Sequence, residues 1–185
     1  MKKSSIVIAL TSVLVCTQCQ KEGNGKFLIG KDTIGSLQKN STTEVLETLF
    51  PSDSVVRDSS TIKLGGGASR IRIYEKGGAL LLTLLPAGDS LDHIENVRIE
   101  DPRFQTSEGV GLASTFGDIK KNFAIRKIVT SRNNIVVFPK ESDLYFTIGR
   151  EELPASLRYN TDVQIEAVQI PDNARIKYLM AGWEH

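Results

Sequence analysis

The chain has 185 residues, 40% of them hydrophobic and 24% charged, the make-up of an ordinary globular protein with one domain or two small ones. Its 23 basic and 22 acidic side chains give a net charge of +1, which excludes the strongly basic footprint of a nucleic-acid binder. No run of Lys and Arg is dense enough to hold a membrane surface by charge alone.

The chain opens with Lys2 and Lys3 and then an apolar run, IVIALTSVLV, at residues 6–15. As a helix this run would be about 15 Å long, half of a ~30 Å hydrocarbon core, so it cannot span. It reads as the h-region of a secretory signal. Both cysteines of the chain follow at once, at Cys16 and Cys19. A disulfide between them would close a trivial loop. A cysteine directly after an h-region, followed by the polar QKEGNG, resembles the lipobox of bacterial lipoproteins. Gln18 and Val15 stand where a small residue is usual, and the looser lipoboxes of Bacteroidetes resemble this site more closely. The resemblance implies a signal peptide at 1–18, acylation of Cys19 (alternatively Cys16), and a tether at 19–26. It also implies a place at the outer membrane or its periplasmic face, with a soluble periplasmic protein as the alternative. Contact with the membrane would be through the lipid alone, and stable anchoring takes more than one acyl chain. Beyond Cys19 there is no cysteine, so burial alone must hold the fold.

The folded part repeats itself. Residues 70–84, RIRIYEKGGALLLTL, return at 134–148 as NIVVFPKESDLYFTI, and both read as a β-hairpin. Gly77-Gly78 suits a two-residue turn. Ile135 to Phe138 are apolar on both faces, so the second hairpin is expected to be buried on both sides. Upstream, Ser41 and Glu44 have capping-box spacing before a short helix that Pro51 stops, and Thr115 and Asp118 repeat that spacing. Gly35 answers Gly109 at the same offset. Downstream, I-E-x-V-x-I-x-D occurs at 94–101 and again at 165–172, with a bulge expected near Glu95/Asn96 and near Glu166/Ala167.

These pieces predict an α+β fold: a tandem repeat of strand, helix, β-hairpin and strand, building antiparallel sheets with short helices on one face. Repeat one spans 27–102 and repeat two 103–185, the latter including a closing strand at 174–183 without a counterpart. Residues 27–185 read as one compact unit. The segments around Ile34-Gly35, Ser41–Val45, Gly109 and Thr115–Ile119 resemble the repeat openings of the β-lactamase-inhibitor-protein and small outer-membrane-assembly lipoprotein group. The chain as a whole resembles the uncharacterised lipoproteins of Bacteroidetes.

No catalytic, cofactor-binding or metal site emerges. His93 and His185 are too isolated for a zinc site, and no G-x-S-x-G elbow presents a serine. Asp89, Asp92, Glu95, Glu100 and Asp101 lack the order of a calcium loop. Gly65-Gly66-Gly67 lacks the Lys-Ser/Thr of a phosphate loop and reads as a flexible insertion that could meet a partner, as could Tyr178 and Trp183 if the last strand were an exposed edge. The expectation is a non-enzymatic envelope module that binds an envelope protein or assists assembly. The alternatives are a small-ligand carrier with a pocket between the repeats and a small carboxylate-dependent hydrolase.

Overall fold

In the computed structural model the described residues are 25–58, 70–87, 92–159 and 163–183. The signal and lipobox cysteines, most of the tether, Gly65-Gly66-Gly67, Asp89 and His185 lie outside them.

The two alternating segments form the hairpins their patterns predict. β5 (Arg70–Tyr74) turns through Gly77 and Gly78, at φ of 118° and 100°, into β6 (Leu80–Pro86). β10 (Asn134–Pro139) turns into β11 (Leu144–Gly149). Each hairpin gains a strand on either side: β4 (Ser54–Asp58) and β7 (Ile94–Ile99) for the first, β9 (Ile125–Thr130) and β12 (Ile176–Gly182) for the second. The two meanders join edge to edge in one antiparallel sheet of order β4-β5-β6-β7-β12-β11-β10-β9.

Register shows why this sheet has one core face. Val55, Ile73, Leu82, Ile99, Leu179, Phe146, Val137 and Ile128 stand in line across all eight strands. The central six are at most 1% exposed. Burying each such side chain stabilises by roughly 1.5–3 kcal/mol. A second sheet, β3 (Leu37–Gln38), β2 (Thr33–Ile34), β1 (Leu28–Ile29) and β8 (Gln105–Thr106), contributes Ile29, Ile34 and Leu37 to the same core. So do α1 (Leu46–Leu49) through Leu46 and α2 (Phe116–Asn122) through Phe116 and Ile119. Among the described residues no helix is long and apolar enough to cross a membrane.

The second predicted helix start is present as read: Thr115 and Asp118 form a full capping box. The first is not. The chain enters α1 through a 3-10 turn at Thr43–Val45, and the Ser41 hydroxyl accepts from the Gln38 N–H at 3.1 Å instead. The bulge at Glu95 is also present: Leu85 pairs with Asn96 and Pro86 with Ile94, leaving Glu95 as the extra residue.

The copy at 165–172 is not a strand. It holds a 3-10 turn, Ala167–Gln169, whose start is closed by the Glu166/Gln169 pair, and Val168 is 85% exposed. The place beside the second hairpin goes to β12, so the strand expected to lack a counterpart occupies the position equivalent to β7.

Candidate functional site

The face of the sheet away from the core carries its own row, one residue per strand: Val56, Arg72, Thr83, Arg98, Met180, Tyr145, Phe138 and Lys127. It mixes cations with apolar and aromatic groups where the core row is wholly apolar. Val136 and Phe138 on this face are half-buried, not covered. The apolar letters on both faces of β10 therefore mark one buried and one half-buried face, against the expectation that the second hairpin is enclosed on both sides.

The aromatic centre of this face is built by neighbouring strands. Phe138 and Tyr145 stack with centroids 5.6 Å apart and planes 24° apart. Pairing shifts between Phe138 and Pro139 make Arg126 the extra residue of β9. Lys127 and Arg126 consequently both reach the Phe138 ring, at 4.9 and 5.8 Å from its centroid. On the other side the Tyr145 ring passes over β12 at Gly182. A Cβ on Gly182 would lie in ordinary contact, 3.4 Å from Tyr145 Cε1 and 3.5 Å from Asn96 Oδ1, so a side chain longer than alanine's would meet the ring where it crosses. The Tyr145 hydroxyl then donates to Asn96 Oδ1 at 2.9 Å.

These groups floor a groove of about 720 Å³ at the junction of the two meanders. Its rim carries Glu95, Arg126 and the ion pair Lys39–Asp143 at 2.7 Å. Burial raises the Tyr145 phenol above the ordinary tyrosine range, and the charge of Glu95 adds to it. At neutral pH the hydroxyl is therefore protonated, a donor rather than a base. The volume lies within the 300–1,000 Å³ typical of ligand sites, and the lining offers shape, apolar contact and hydrogen bonds.

The sequence-predicted residues are scattered around this groove. Tyr178 lies in β12, a central strand and not an edge, half-buried beneath the Arg98 guanidinium at 4.1 Å. Trp183 is 1% exposed, and its backbone N–H donates to the Glu95 carbonyl at 2.7 Å. It is a buried residue that also lines the groove, so it backs the wall of the site rather than standing on an exposed strand edge. His93 is exposed, in an isolated bridge with Thr42. Glu100 accepts from Thr83 at 2.9 Å and faces Arg98 at 3.2 Å, while Asp101 is clasped by Arg103. The carboxylates are thus engaged separately, with Glu95 on the groove rim. Among the described residues no three His, Cys, Asp or Glu side chains are grouped to hold a metal ion. Sequence reasoning missed Phe138, Tyr145, Asn96 and Gly182; the one signal pointing to them was the doubly apolar β10.

The architecture defines an α+β protein in which one long antiparallel sheet carries a small sheet and short helices on its core side. No protein-family model matches the chain, and no curated protein matches it. Among solved structures it is similar to the crystal structure of the uncharacterized protein yfeY from Escherichia coli, with a TM-score of 0.51 and 12% identity. That likeness covers 85% of this chain and 99% of the other, and at such low identity it shows the fold alone.

Proposed function

We propose that this is an exported, lipid-anchored protein of the cell envelope, of the type found among Bacteroidetes lipoproteins. It binds a protein partner with the outer face of its sheet and performs no chemistry of its own. One observation carries the binding role: Val136, Phe138 and Tyr145 are half-buried apolar and aromatic groups lining a groove on a face that no layer of the described residues covers. Isolated exposed apolar residues are commonplace, but a contiguous patch with a polar rim marks an interaction site. The cysteine after the apolar run supports the anchor. We read the two meanders, with their matched hairpins, as the products of a tandem duplication.

The test is capture from solubilised envelope with the lipidated protein, alongside Cys19→Ala and Phe138→Glu. A partner held by the native protein and lost with Phe138→Glu supports the reading; equal capture by both overturns it. Fatty-acid labelling examines the anchor: label should vanish with Cys19→Ala and persist with Cys16→Ala. The groove volume favours a second reading, a small-ligand carrier. A small molecule retained by the purified protein in native mass spectrometry, and released by Tyr145→Ala, would select it.

A further inference from the structure

Four cationic side chains from four separate segments meet where β9 turns into β10 and β11 ends. Arg132 stands in the β9–β10 turn, and Arg150 opens a 3-10 turn, Arg150–Glu152. Arg158 closes α3 (Ala155–Arg158). Lys177 is the bulged residue of β12, since Thr147 pairs with Tyr178 and Ile148 with Ile176. With Tyr159 they line a pocket of about 540 Å³ whose lining includes a single carboxylate, Glu151.

The pocket has a fixed wall and exposed arms. Arg150 is 4% exposed, and its Nε and Nη1 donate to the carbonyls of Ser131 and Leu157, each at 3.0 Å. These bonds set the plane of the guanidinium. Arg158 Nε donates to the Leu153 carbonyl at 2.6 Å, which sets a second one. Arg132 and Lys177 are exposed, and Lys177 lies 3.5 Å from Glu151. Holding like charges together is unfavourable unless an anion joins them. One arginine satisfies a planar carboxylate; donors converging from four segments suit a tetrahedral anion with several acceptor oxygens.

We propose that this pocket binds an anionic group of the phosphate class, either free or as the headgroup of an anionic lipid. The headgroup has a structural argument in its favour. Lys26, the second residue of the described chain, pairs at 3.3 Å with Glu75 beside the β5–β6 turn, at the same end of the sheet as the pocket. A lipid on Cys19 would bring that end toward a bilayer, so this source rests on the anchor reading. The pocket itself does not.

The test is calorimetry on the full chain in non-ionic detergent, titrated with inorganic phosphate, with short-chain phosphatidylglycerol and with short-chain phosphatidylcholine. Saturable binding of phosphate identifies a free anion, and binding of phosphatidylglycerol alone identifies a headgroup. In either case Arg132→Ala/Lys177→Ala should weaken binding about tenfold or more, while Lys76→Ala in the distant β5–β6 turn leaves it unchanged. Absence of binding to all three overturns the proposal. So does equal binding by the double variant, or phosphatidylcholine binding as tightly as phosphatidylglycerol. Because the purified protein is measured directly, failure here leaves the anchor and the outer-face site untouched, and their failure leaves this pocket standing.

Discussion

The Tyr145 hydroxyl donates to Asn96 Oδ1 across 2.9 Å, joining β11 to β7 over the top of β12. The bond links the two meanders by side chains where β7 and β12 already link them by backbone. Tyr145→Phe keeps the stack on Phe138 and leaves the Asn96 oxygen without this donor. The expected loss is about 0.5–1.5 kcal/mol in a urea denaturation, the net worth of one hydrogen bond. Gly182→Leu should cost more, because its side chain enters the lane the ring occupies. A Gly182→Leu protein as stable as the native one would contradict this account of the crossing.

The same phenol gives a titration signature. Its ionisation lies above the ordinary tyrosine range because it is buried, with Glu95 adding to the shift. A tyrosine in the unfolded chain ionises near pH ~10. The folded state thus holds a proton that the unfolded state releases, so stability is unaffected below that pH and falls as pH rises through and beyond it. Ultraviolet titration of the 4 tyrosines should show one late component, absent in Tyr145→Phe. An unchanged curve in the variant would rule the assignment out.

Trp183 and Tyr178 should respond oppositely to truncation. Trp183 is 1% exposed, so Trp183→Ala is expected to cost about 3–5 kcal/mol and to lower the melting temperature sharply. Tyr178 is half-buried on the outer face under Arg98, and Tyr178→Ala should cost far less. If Tyr178 contributes to partner binding, its loss appears in capture rather than in melting. Equal destabilisation by the two changes would refute the division between core and outer face.

What the sequence revealed is what local pattern determines. Period-two alternation placed β5, β6, β10 and β11, the Thr115/Asp118 spacing placed the start of α2, and a break in parity placed the bulge at Glu95. What it concealed is decided by competition between distant segments. Residues 94–101 and 165–172 share their letters, yet β7 begins in the first and a 3-10 turn occupies the second, because β12 takes the sheet position. The edge strands β4 and β9 have short, partly polar patterns that merge into their loops. The outer-face groove was illegible for the same reason: Asn96, Tyr145 and Gly182 are far apart in sequence and meet only through strand order. The cationic pocket draws single residues from four segments, so no charge run announces it.

Acid should loosen the corner where the chain enters the fold. Arg103 donates from Nε to Asp101 Oδ1 at 2.9 Å and from Nη2 to Asp101 Oδ2 and Glu75 Oε2, each at 2.7 Å. Its guanidinium also lies 4.2 Å from the centroid of Phe27. The Arg103 side chain holds Asp101 below the usual aspartate range against the opposing effect of burial, and it holds Glu75 below the glutamate range in the same way. A carboxylate with a depressed folded pKa contributes stability above its unfolded pKa and loses it as pH falls toward the folded value. The window therefore lies below about pH 4–5, where unfolded Asp and Glu take up protons. Arg103 is 45% exposed, so solvent screens the pairs and the effect is modest. Urea midpoints at neutral and acid pH should fall less steeply for Arg103→Gln than for the native chain, with the variant already weaker at neutrality. A parallel fall in both proteins would show that these pairs do not govern the acid limb.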